Sequence, residues 1–168
     1  MKRLTPAAVL VPLIKDSQSL LLTKRSQLVA HHKGEISFPG GMQDIEDSDL
    51  LETALRETFE ETGLQLQRHH VIKQLPCVST MSSRFSITPF LGHIDRLPVL
   101  KLNPDEIDKI LIYPLVNFTA PGALKFKPFG LNGLLPTYEI DGEIIWGATA
   151  LIIHRYIVNE GQADLPHR

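Results

Sequence analysis

The sequence predicts an α/β fold carried by one domain, residues 1–168. Two observations predict it. Apolar runs with strand character lie on both sides of one strongly periodic helix, so strands and helices alternate along the chain. At 168 residues the chain has the size of one ordinary domain, enough to bury about two thirds of its unfolded surface without disulfides. No internal repeat, low-complexity tract or linker interrupts it.

Ala7 to Ile14 is apolar and rich in Val and Leu, and Lys15-Asp16-Ser17-Gln18 follows as a polar turn before Ser19 to Arg25, which suggests two paired strands. His31 to Gly41 holds three glycines and one proline, the composition of a loop held on a defined path. Asp47, Ser48 and Asp49 are N-cap residue types. After them Leu51, Ala54, Leu55, Thr58, Phe59 and Thr62 recur at helical spacing until Gly63 stops the run. Ser86 to Ile94, Ile107 to Leu115 and Tyr138 to Trp146 read as strands. Gly147 to Val158 reads as a buried helix, apolar nearly all round, and Ala120 to Pro136 as a long surface connection.

With 43% hydrophobic and 21% charged residues the composition is that of a globular protein, and no apolar run reaches the roughly eighteen residues a membrane helix needs. Pro12, Lys15 and Asp16 break the first apolar stretch before it can act as a secretion signal. The net charge of -2, with both signs mixed along the chain, argues against nucleic acid or a membrane surface as partner and favours a small ligand. Cys77 is the only cysteine, which excludes an internal disulfide and a multi-cysteine zinc site; it reads as a small buried hydrophobe in a cytoplasmic protein.

At about 100° per residue, Glu57, Glu60 and Glu61 fall on one side of the helix, opposite Leu55 and Thr62. Like charges at this spacing cost a helix about 0.2–0.5 kcal/mol per pair and, near its C-terminal end, oppose its dipole. A hard divalent cation such as Mg2+, which takes carboxylates, waters and phosphate oxygens, gives such an arrangement a purpose. On the helix alone, a solvated acidic face offset by Arg56 is the plainer reading.

The context shifts the balance. Gly40-Gly41-Met42 leads into Asp47, then Ala54-Leu55-Arg56-Glu57-Thr58-Phe59-Glu60-Glu61-Thr62-Gly63-Leu64. This stretch, about residues 41–64, resembles the Nudix box, with Arg-Glu-x-x-Glu-Glu-x-Gly complete, one extra residue between Gly41 and Arg56, and Asp47 where the family has a mid-loop Glu. The resemblance implies an α/β/α sandwich around a mixed sheet and hydrolysis of a diphosphate linkage with Mg2+ or Mn2+. It assigns Glu57 and Glu61 as metal ligands, Glu60 as a further ligand or water-orienting carboxylate, and main chain near Gly40 and Gly41, chiefly Gly41, as completing the coordination. Arg56 would hold a carboxylate in place. Glu57 or Glu60 would accept the proton of the attacking water. Glu106, in Asn103-Pro104-Asp105-Glu106, is a further candidate, since a late acidic loop often faces the Nudix site.

Leu21-Leu22-Thr23-Lys24-Arg25-Ser26, followed by Phe38-Pro39-Gly40-Gly41, resembles the signature of the coenzyme A diphosphatase branch, and so does Ile145-Trp146-Gly147-Ala148-Thr149-Ala150. That branch implies coenzyme A as substrate and 3',5'-ADP and 4'-phosphopantetheine as products. Beyond the metal, the phosphates of coenzyme A need cationic or hydrogen-bonding groups; Lys24, Arg25, Ser26, Lys33, Gly40 and Gly41 are the candidates for substrate binding. His31-His32 and His69-His70 are adjacent pairs, which share no helix or strand face, and read as loop histidines. The rival readings are a Nudix enzyme for ADP-ribose, a dinucleoside polyphosphate or an oxidised nucleotide, and a catalytically silent nucleotide-binding domain.

Overall fold

The computed structural model describes residues 4–29, 32–80, 84–130 and 133–159; His31 lies outside them. Its main sheet is built on β1 (Thr5–Ile14) and β2 (Ser19–Arg25), an antiparallel pair in which Leu13 faces Leu20. β3 (Ile36–Ser37) extends the sheet beyond β2, and β4 (Gly40–Met42) pairs with the first half of β1. The loop expected from residue 31 to 41 therefore follows its path by means of two very short strands. After helix α1 (Leu50–Thr62) and a 3-10 turn at Arg68–His70 come β5 (Val71–Gln74), β6 (Val78–Ser79) and β7 (Phe85–Ile94). β7 runs parallel to β1 over its whole length, and β8 (Ile107–Pro114) pairs antiparallel with β2, so the sheet is mixed.

From Ala7 onward β1 is apolar because both of its faces are covered. Ala8 and Leu10 point toward α1, where they meet Ala54 and Phe90. Val9, Val11 and Leu13 point the other way, into the larger core with Leu20, Leu22, Phe38, Tyr113, Phe118 and Tyr138. This second face is covered by the short helix α2 (Val116–Thr119), a small sheet of β9 (Leu124–Phe129), β10 (Gly133–Ile140) and β11 (Glu143–Trp146), and helix α3 (Gly147–Ile152). A wider, π-wound segment continues α3 from Ile153 to Val158. The layers are helix, mixed sheet, then helices with a second small sheet.

Three expectations need correction. Tyr138 to Trp146 is a hairpin, because Asp141 and Gly142 both take positive φ (52° and 78°), the geometry of a tight two-residue turn. The span from Ala120 to Pro136 is also not a plain surface connection: it contains β9 and the start of β10. Pro128 and Pro136 lie within these strands, β9 being an edge strand of the small sheet, where proline is tolerated. Cys77, expected to be buried, is exposed on the connection between β5 and β6, with its Sγ 3.0 Å from Ser86 Oγ.

Candidate active site

α1 carries the centre of the site, and its ends are set by local chemistry. Asp49 accepts a hydrogen bond from Glu52 N at 2.8 Å as N-cap. Gly63 closes the helix with φ 71°, and a Cβ there would lie 2.9 Å from the backbone N of Lys101, so glycine is needed for conformation and for close approach alike. Three buried threonines line the packed side. Thr58 and Thr62 donate to the carbonyls of Ala54 and Thr58, both at 2.6 Å, and Thr53 donates to Asp47 Oδ2 at 2.8 Å. Their hydroxyls are thus satisfied inside the core.

Glu57, Glu61 and Glu106 each offer a carboxylate oxygen, and the three lie within 4.8 Å of one another. Glu61 is 2% exposed; burial pushes its carboxyl up to about 8, only partly offset by the Arg25 guanidinium. Arg25 Nη1 stands 3.7 Å from Glu61 Oε1, and Gly40 N donates to Glu61 Oε2 at 3.3 Å. Burial also raises Glu57, against the pull of Arg56. A Cβ on Gly41 would lie 2.5 Å from the Glu57 carboxyl carbon, so this glycine lets main chain lie directly against that carboxylate. Gly40 has a different role: its φ is 154°, and a Cβ would come within 2.2 Å of Ala8 O, where β4 seats against β1.

Glu60 stands apart from the cluster. It is exposed and accepts from Arg56 Nη1 at 3.1 Å. Arg56 also binds Glu57 Oε1 at 3.0 Å and grips Asp47 with two further donors, which makes it the brace between the loop and the helix. Glu106 arrives from the segment before β8. Ser26 N donates to Glu106 O at 2.7 Å, and Asn103 Nδ2 donates to Glu106 Oε1 at 3.0 Å. Ser26 is buried and its hydroxyl accepts from Leu28 N, so it acts here as a turn residue. Lys24 gives its ammonium to both oxygens of Glu143 in β11, at 2.8 and 2.9 Å. Lys33 is exposed. Arg25 Nε is buried without a hydrogen-bond partner. Asn103 is the residue of this arrangement that sequence reading did not single out: its place before proline marks a turn and nothing more.

An all-oxygen cluster of three carboxylates against glycine main chain is the donor set of a hard divalent cation. The NUDIX domain model matches residues 4–116, and the chain belongs to the Nudix family. It is a Nudix hydrolase, of a family that works with divalent metals. The Yersinia enterocolitica protein named Uncharacterized Nudix hydrolase NudL is 35% identical to it over 153 residues, 89% of this chain and 78% of that one. The Mus musculus protein named Mitochondrial coenzyme A diphosphatase NUDT8 is 37% identical over 155 residues, 87% of this chain and 73% of that one. Among solved structures, the MutT/nudix family protein from Enterococcus faecalis superposes with a TM-score of 0.59 at 18% identity, over 87% of this chain and 52% of that one. This chain thus spans about half of that structure, and the likeness concerns the fold. The MutT protein from Methanosarcina mazei gives 0.57 at 19% identity, over 70% of this chain and 81% of that one.

Proposed function

We propose that the whole chain acts as one domain that hydrolyses the diphosphate bond of coenzyme A or a close derivative, with Mg2+ or Mn2+, releasing 3',5'-ADP and 4'-phosphopantetheine. The observation that carries the reaction class is the convergence of Glu57, Glu61 and Glu106 to within 4.8 Å. The choice of coenzyme A is supported by the segments from Leu21 to Ser26 and Phe38 to Gly41, and by similarity to a protein named as a coenzyme A diphosphatase.

In this reading Glu57 and Glu61 hold the metal, with main chain at Gly41 beside them. Bound there, the cation would neutralise charge on the nonbridging oxygens and acidify an attacking water. Glu106 takes that water's proton, a role for which it is better aimed than Glu60, whose carboxylate is turned to Arg56. Arg25 keeps Glu61 charge-compensated, and its partly exposed guanidinium end is the candidate contact for a phosphate oxygen. Lys33, exposed on the loop before β3, is the candidate for the outer phosphate, whereas Lys24 serves the fold through Glu143.

No helix among the described residues is long and apolar enough to cross a membrane; a cytoplasmic location and a small nucleotide as the substrate partner belong to the same proposal. Glu106→Gln tests it: the expected loss in kcat is about 10²-fold or more with metal affinity retained, and an unchanged kcat overturns the role given to Glu106.

A further inference from the structure

We propose that Asn103 is the positioning residue for Glu106, an inference that rests on the catalytic reading of Glu106 above. Every polar group of Asn103 is engaged. Its backbone N donates to Glu61 O at 3.0 Å, in the last turn of α1, and its backbone O accepts from Glu106 N at 3.1 Å and Ile107 N at 2.8 Å. Its side-chain Oδ1 accepts from Asp105 N at 3.2 Å, and Nδ2 donates to Glu106 Oε1 at 3.0 Å. One residue therefore ties the backbone of a carboxylate on the helix to the side chain of the carboxylate on the loop.

The two contacts hold different things. The Oδ1 contact with Asp105 N closes a local turn, which an aspartate closes equally well. The Nδ2 contact fixes the rotation of the Glu106 carboxylate, occupies one oxygen and leaves the other to accept a proton. Lys101 N to Thr62 O at 2.9 Å and Ser26 N to Glu106 O at 2.7 Å already pin the surrounding main chain, so the amide donor is not needed to keep the loop in place. Its remaining work is at the carboxylate.

Asn103→Asp separates these roles, since it keeps size and the turn acceptor but replaces the donor by an acceptor and adds one negative charge beside Glu106; Asn103→Ser, uncharged and still able to close the turn, controls for that charge and is expected to show the same loss. Rates are read with Mn2+ on whichever of coenzyme A, ADP-ribose and diadenosine polyphosphates the wild type turns over fastest, alongside Mn2+ binding by calorimetry and thermal unfolding. The expected result is a kcat at least about tenfold lower, with KM and unfolding midpoint near wild type and Mn2+ bound at least as tightly. In a Glu106→Gln background Asn103→Asp adds no further loss, as expected of two residues acting through one group. Wild-type kcat in Asn103→Asp, or a full additional loss in the double variant, overturns the role of Asn103 while leaving that of Glu106 intact. Wild-type kcat in Glu106→Gln overturns both.

Discussion

Arg56 holds Asp47 by two parallel hydrogen bonds, Nε to Oδ1 and Nη2 to Oδ2, both 2.9 Å long. Asp47 Oδ2 also accepts from Asp44 N and Thr53 Oγ1, so the shorter acid at this loop position still reaches the helix arginine. The loop that carries Gly40 and Gly41 is thereby braced against the helix that carries Glu57 and Glu61.

Asp47→Ala removes the brace and leaves a guanidinium and two donors short of an acceptor. The expected loss is about 1–3 kcal/mol, a drop in unfolding midpoint on the order of 5 °C for a chain of this size. The Arg56 contacts hold Asp47 well below the ordinary carboxylate range, so its contribution is present above that range and is lost only in strong acid. Thermal unfolding should therefore show the deficit of the variant as constant between about pH 5 and 8.

Glu61 has the opposite sign. Its carboxyl is raised from 4.5 to about 8, so in the metal-free protein the neutral form is favoured by the fold, and stability is lost as pH rises through that window. Glu61→Gln removes this penalty. The midpoint of the variant minus that of the wild type should increase from about pH 5 to 8 in chelated buffer, and added Mg2+ should stabilise the wild type alone. A difference that shrinks with pH contradicts the buried-carboxylate account.

Gly40 and Gly41 should fail differently. A Cβ at Gly40 meets backbone at 2.2 Å, while one at Gly41 meets the Glu57 carboxyl at 2.5 Å. Gly40→Ala is expected to lower the unfolding midpoint and, through it, expression. Gly41→Ala should fold, yet displace Glu57 enough to reduce kcat by about 10²-fold, with weaker Mn2+ binding by calorimetry.

Lys24→Ala and Glu143→Ala both remove the Lys24 contact between the main sheet and β11, and Glu143→Ala also releases Lys109. Their effects on unfolding midpoint should be non-additive, with Glu143→Ala the larger, and KM for coenzyme A should stay within about twofold, as for a partly exposed ion pair that binds no substrate. Lys33→Ala should raise KM. The reverse pattern would give the substrate phosphate to Lys24.

α1 was legible in the sequence because its caps, Asp49 and Gly63, are local and its apolar spacing is unbroken. β1 was legible because burial on both faces left an apolar run from Ala7 to Ile14, and β2 because three leucines follow the polar turn at Lys15 to Gln18. The hairpin of β10 and β11 was legible and was passed over, since Asp141-Gly142 between two apolar stretches is the sequence signal of a two-residue turn. β9 was hidden by Pro128, which an edge strand tolerates. In the site, helical spacing grouped Glu57, Glu60 and Glu61, but only the placement of Gly40 and of the loop before β8 separates Glu61, which is covered, from Glu60, which is not. Asn103 acts through contacts to residues 42 positions back and three ahead, and nothing in the local pattern signals the first.

Incubating purified protein with coenzyme A, with and without Mg2+, and separating the products tests the proposed hydrolysis at its reacting bond. Metal-dependent release of 3',5'-ADP and 4'-phosphopantetheine is expected, with faster turnover of coenzyme A than of ADP-ribose or diadenosine polyphosphates. Faster turnover of another diphosphate would contradict the substrate, and absence of turnover of all of them with Mg2+ and Mn2+ would contradict the mechanism assigned to Glu57, Glu61 and Glu106.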